Sequence, residues 1–158
     1  MSLSRRSILG LALTAMAVAV AVFLALPRGS QARSVTPVNA EAGVAILGVD
    51  PVGYFTDEAA VQGDPALHAD WMGARWLFAS VEHRRMFVAN PAAYAPQFGG
   101  YCAWAVAEGY TAPIDPEAWK IVDGKLYLNY SKKIMRKWEK DVPGNISRAV
   151  ANWPGLKG

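Results

Sequence analysis

Residues 8–26 form a run of nineteen without a charged side chain, preceded by Arg5 and Arg6 and followed by Pro27, Arg28 and the small-residue stretch Ser30-Gln31-Ala32. Such a run does not belong in the core of a small domain. Its length falls between the ~7–15 residue apolar centre of a cleaved signal and the ~17–25 residues of a spanning helix, so residues 1–32 read as an export signal or as an uncleaved membrane anchor. What remains is about 125 residues, enough for one domain of the usual ~100–150 and one core.

Positive charge ahead of the run orients the rest of the chain outward. The expected location is therefore exported, periplasmic or anchored to the outer face of the cytoplasmic membrane. The order Ser4-Arg5-Arg6-Ser7-Ile8-Leu9 resembles a twin-arginine signal, while paired arginines also suit the general secretory route. Residues 33–43, polar and interrupted by Pro37, read as a linker to a domain at 44–155.

Three of the sixteen basic residues, Arg5, Arg6 and Arg28, lie within 1–32, which leaves thirteen basic against thirteen acidic side chains in the domain. A neutral domain gives no footing for nucleic-acid binding, which needs a concentrated basic surface. Lys132, Lys133, Arg136, Lys137 and Lys140 read instead as a solvated helix face. The single cysteine, Cys102, has no intramolecular partner for a disulfide. Stability has to come from packing, and six tryptophans, each able to bury ~150–250 Å² of surface, can supply it.

Turn and cap signals place the elements. Asp50-Pro51 is a cap-then-proline helix start that carries Val52, Tyr54 and Phe55 inward. Met72-Gly73-Ala74 separates two aromatic-rich stretches, 66–71 and 75–79, as a hairpin that includes His68, an expected exposed strand residue. Ser80 caps a helix to about residue 89, and Asn90-Pro91 starts a short one. Asp123-Gly124 suits a type I′ turn between 119–122 and 125–129, with Leu126 and Leu128 alternating with polar neighbours. Ser131 caps a helix with Ile134 and Trp138 on one face, Pro143 ends it, and a last helix carries Ile146, Val150 and Trp153 inward. The expected fold is α+β, a single domain with a small antiparallel sheet and packed helices.

Three clusters set a frame: Asp50-Pro51-Val52, then Phe78-Ala79-Ser80-Val81-Glu82-His83-Arg84-Arg85-Met86-Phe87 with Asn90-Pro91 and Tyr94, then Gly99-Gly100-Tyr101-Cys102-Ala103 with the run from Gly124 to Tyr130. Together they resemble the YHS domain family, in particular its exported bacterial members. The usual cysteines of that family are largely replaced, with Gly53 at the first position, Ala79 at the second and His83 at the third. The resemblance implies metal binding without catalysis, since cysteine thiolates hold soft or borderline cations.

Among residues able to act, Cys102, His83 and Met86, which lies three residues from His83 on the same helix, are the expected metal ligands, and a His, Cys and Met set suits copper or another soft metal ion. The plainer alternative makes Met86 a core residue, Cys102 a small buried hydrophobe and His83 a residue that sits on the helix surface or hydrogen-bonds locally. A second hypothesis is a metal-free module in which a groove of Tyr101, Trp104 and Tyr127 takes a small ligand or protein partner. A third, a thiol-dependent enzyme, needs Cys102 exposed as a reactive nucleophile beside His83. No paired carboxylates or phosphate loops are evident.

Overall fold

The structure, a computed structural model, describes residues 36–157, and these build one α+β domain. The expected export or anchor segment, residues 1–32, lies outside the described residues. No helix among the described residues is long and apolar enough to cross a membrane.

Four strands form the first sheet: β1 (Ala40–Glu41), β2 (Val44–Ala45), β3 (Asp64–Trp71) and β4 (Ala74–Phe78), in the order β1-β2-β4-β3. It is not wholly antiparallel, because β2 meets β4 in parallel, with Val44 opposite Arg75. The β3–β4 hairpin turns on Met72 and Gly73, both left-handed with φ of 51° and 77°, the backbone of a primed two-residue turn. The second sheet is the hairpin of β5 (Asp115–Val122) and β6 (Lys125–Asn129), turning on Asp123 and Gly124 with φ of 50° and 70°. Its first strand starts earlier than the sequence indicated.

Among the described residues six α-helices pack around these sheets: α1 (Gly53–Thr56), α2 (Val81–Ala89), α3 (Pro91–Tyr94), α4 (Ala103–Ala107), α5 (Lys132–Trp138) and α6 (Val142–Leu156). The expected caps at Ser80 and Ser131 are made, each hydroxyl accepting the N–H three residues on, from His83 at 3.1 Å and Ile134 at 3.2 Å. Pro143 opens α6, consistent with the proline preference of a first turn, and Asp141 accepts the Gly144 N–H at 3.0 Å. Ile146 and Trp153 pack inward from α6 as expected, but Val150 lies on its solvent face.

Two apolar clusters share β6. Leu126 and Leu128 point into the first, with Ile46, Val52, Tyr54, Trp76, Phe78 and Phe87, while Tyr127 points into the second, with Phe98, Val106, Trp138 and Ala149. Side chains alternate along a strand, so a strand between two cores is buried on both faces, and Tyr127 is core rather than the polar-face neighbour that the pattern implied. Phe87 centres the first cluster, its ring 5.3 Å from Trp76 and 5.2 Å from Phe78. Removing a buried ring of this kind costs about 3–5 kcal/mol.

The stretch read as a linker is built into the fold from Val38 onward. Val38 is 2% exposed, the Asn39 N–H donates to the Gly99 carbonyl at 2.8 Å, and its side-chain amide donates to the Gly100 carbonyl at 3.0 Å. The partner segment is three successive left-handed residues, Phe98, Gly99 and Gly100, with φ of 55°, 61° and 80°. Phenylalanine holds that conformation at a cost of about 1–2 kcal/mol, offset by packing of its ring against Tyr127 and Trp153. At Gly99 a Cβ would overlap the carbonyl oxygen of Pro37. We therefore expect Gly99→Ala to detach residues 37–39 and lower stability by about 2–3 kcal/mol in urea unfolding, from clash and left-handed strain together. Wild-type stability would show that the segment is not integral.

Candidate functional site

Asp50 is the polar centre of the first cluster. Its carboxylate is fully buried, with Oδ1 accepting the Val52 N–H at 2.9 Å and Oδ2 accepting the Ala79 N–H at 2.7 Å. His83 Nδ1 also lies 2.7 Å from Oδ2. A carboxylate here offers only acceptors, so Nδ1 carries a proton and donates it. The expected helix cap is not made: α1 starts at Gly53 with Val52 as its N-cap and no side-chain cap bond, and the Asp50 bond to Val52 closes a turn just ahead of it. The same side chain ties the end of β4 and the first turn of α2 to that turn. Val52, two residues on, and Ala79 and His83, about thirty residues on, all bond this one carboxylate.

The other imidazole nitrogen faces outward. His83 Nε2 lies 3.1 Å from the Thr56 hydroxyl and 4.0 Å from an oxygen of the half-exposed Asp57 carboxylate, and the His83 side chain is 13% exposed. The Thr56 hydroxyl also lies 3.2 Å from the Val52 carbonyl, and its one hydrogen serves either that carbonyl or Nε2. In neutral His83 the Nε2 lone pair is therefore an acceptor, open when the Thr56 hydrogen serves the Val52 carbonyl, and held in place by Asp50 from behind. A carboxylate on one ring nitrogen fixes the orientation of the imidazole and makes its other nitrogen more basic.

Cys102 sits elsewhere, at the start of α4. It is 1% exposed, accepts the Tyr130 N–H at 3.2 Å, and its thiol faces Asn129 Oδ1 at 3.8 Å. The same Asn129 oxygen accepts the Trp104 N–H at 3.3 Å, which fixes the amide, and Asn129 Nδ2 is buried without a protein partner. Burial pushes the Cys102 thiol up, outweighing the amides of Ala105, Tyr130 and Trp104 that favour the thiolate. The arrangement holds a protonated, covered thiol rather than an exposed nucleophile.

The structure therefore does not bring the expected metal set together. The side-chain partners of His83 are Asp50, Thr56 and Asp57, whereas those of Cys102 come from β6 and the residue after it. Met86 is half-buried against the first core, in keeping with its plainer role as a packing residue. Among the described residues no group of three His, Cys, Asp or Glu side chains converges as a full protein cage would.

The expected aromatic groove is also rearranged. Tyr127 is enclosed between Phe98 and Trp138, with ring centroids at 6.0 and 5.3 Å, because the strand's second face belongs to a core. Tyr101 packs on Trp153 at 6.0 Å and its hydroxyl meets Thr36, while the half-buried Trp104 lies under the Lys137 ammonium at 5.9 Å. His68 is half-buried in β3, its ring nitrogen 3.0 Å from the Pro65 carbonyl. The basic side chains of α5 are exposed, as their spacing implied.

No family model, curated protein or solved structure matches this chain. Asp50, Thr56 and Asp57 were not evident as site residues from sequence. Asp50-Pro51 signalled a helix cap, whereas Asp50 closes a turn ahead of α1 and reaches His83, and nothing in the spacing of Thr56 and Asp57 from His83 announces their convergence.

Two outcomes follow. Removing the Asp50 carboxylate leaves two backbone N–H groups and an imidazole without their acceptor, and at about 1–3 kcal/mol per orphaned group Asp50→Ala should cost about 3–5 kcal/mol in chemical unfolding. For Cys102 the folded protein keeps its proton at pH values where the unfolded chain, near the ordinary ~8.5, has released it. Its contribution to stability is thus full below that value and is lost as pH rises toward the higher folded value. The wild type should show this alkaline decline and Cys102→Ala should lack that part of it. Iodoacetamide should label Cys102 at least about 100-fold more slowly in the folded than in the urea-unfolded protein, and equal rates would contradict a covered thiol.

Proposed function

We propose that the chain is an exported, non-enzymatic metal-binding accessory protein of the YHS type, in which His83 rather than Cys102 holds the ion. The observation that supports it is the carboxylate–imidazole pair: Asp50 fixes Nδ1 at 2.7 Å and leaves Nε2 directed at Thr56 and Asp57. The ion sits at Nε2, with the Asp57 carboxylate and the Thr56 hydroxyl completing the protein's share and solvent filling the rest.

That donor set is one nitrogen and hard oxygens. It moves the preference away from copper(I), which thiolate and thioether would favour, toward a borderline divalent cation such as copper(II) or zinc. Few protein ligands make the site weak, of the order of ~10–100 µM, a range suited to handing an ion on rather than storing it. Protons compete with the ion for Nε2, so binding weakens in acid.

Titration calorimetry with copper(II) and with zinc tests this. One ion should bind the wild type, His83→Ala should abolish binding, Asp57→Asn should weaken it about 10-fold, and Cys102→Ala should leave it unchanged. Loss of binding in Cys102→Ala with retention in His83→Ala would overturn the assignment.

A further inference from the structure

A cleft of about 220 Å³ opens between the β3–β4 turn, the chain at Pro37 and Val38, the segment from α3 to Gly99, and the end of α6. Four of its lining residues are aromatic: Trp71 and Trp153 are half-buried and present ring surface, while Trp76 and Phe98 are buried in the two cores. Met72, 52% exposed on the left-handed turn of the hairpin, stands at the rim with an adaptable thioether. Lys157, the charged residue of the lining among the described residues, supplies a cation at the α6 end.

Three features set this cleft apart from ordinary surface roughness. Four segments distant in sequence build it, so its shape depends on the whole fold. Phe98 reaches its wall only by keeping a left-handed backbone, φ 55° and ψ 39°, and strain of that kind persists where the surrounding structure over-determines it. Finally, a cleft with indole surface on its wall and a charge at its edge selects amphiphilic molecules, since the rings take apolar surface and the charge orients it.

We propose that this cleft binds a small aromatic carboxylate, with the ring seated against Trp71 and Trp153 and the carboxylate paired with the Lys157 ammonium. The volume lies below the ~300–1,000 Å³ of drug-sized sites, which limits the apolar part to about one ring. Indole faces and edges favour an aromatic ring in an offset or edge-on arrangement. A charge-assisted hydrogen bond to lysine favours an anion over a neutral polar end. The site is separate from His83 and stands or falls without the metal assignment.

Calorimetry of the purified chain with 3-phenylpropionate and with its neutral analogue 3-phenyl-1-propanol tests it. The carboxylate should bind at least about 5-fold more tightly than the alcohol, and Lys157→Gln should remove that preference while leaving the alcohol's affinity as it was. Ala92→Trp, a change at an exposed position of α3 that lines the cleft, should fill it and reduce carboxylate binding at least about 10-fold while metal titration stays as in the wild type. Absence of carboxylate binding at millimolar concentration would overturn the proposal. So would equal affinity for acid and alcohol, or binding that survives Ala92→Trp.

Discussion

A buried carboxylate is costly unless its oxygens are hydrogen-bonded, and Asp50 has three donors, one on Oδ1 and two on Oδ2, from separate elements of the fold. Val52 binds it from the start of α1, Ala79 from the end of β4, and His83 from the first turn of α2. These bonds cannot form unless the segment before α1, the β3–β4 hairpin and α2 are already in register. Asp50 thus acts as a test of correct assembly in the first core, and the position of the His83 ring is a by-product of passing it.

The same arrangement divides the chemistry of the molecule. His83 is near the surface, with one nitrogen committed inward and the other turned to oxygen donors. Cys102 is sealed beneath α4 and beside β6, where burial favours the neutral thiol. A histidine and a cysteine that a sequence places in one functional set are, in the folded chain, parts of two environments with opposite demands on charge. Tyr54 bridges the regions around β5 and α1, donating its hydroxyl to the Pro116 carbonyl at 3.0 Å, with its ionisation suppressed by burial and by Glu117 and Asp115.

Local signals were legible because local chemistry sets them. The two turns fall at Gly73 and Gly124, where left-handed backbone is cheap, and Ser80 and Ser131 cap because a hydroxyl three residues ahead of an N–H is within reach wherever the helix goes. The α+β class followed from those elements. What stayed hidden depends on partners distant in sequence. Val38 and Asn39 looked like linker because their stability comes from Gly99 and Gly100, some sixty residues on. Tyr127 looked like a groove residue because one strand's pattern does not show that cores lie on both of its faces. Asp50 could be read as a cap, but its third bond, across 33 residues to His83, carries no local mark.

The central claim is that Asp50 holds His83 with its proton on Nδ1 and its free lone pair on Nε2. Nitrogen-15 NMR of the imidazole reports this directly. With the ring neutral, the account predicts a protonated, slowly exchanging Nδ1 that becomes fast-exchanging in Asp50→Asn, and an Nε2 resonance that alone moves when a diamagnetic divalent cation such as zinc is added. A neutral ring carrying its proton on Nε2, or a cation that leaves Nε2 unmoved, would contradict it.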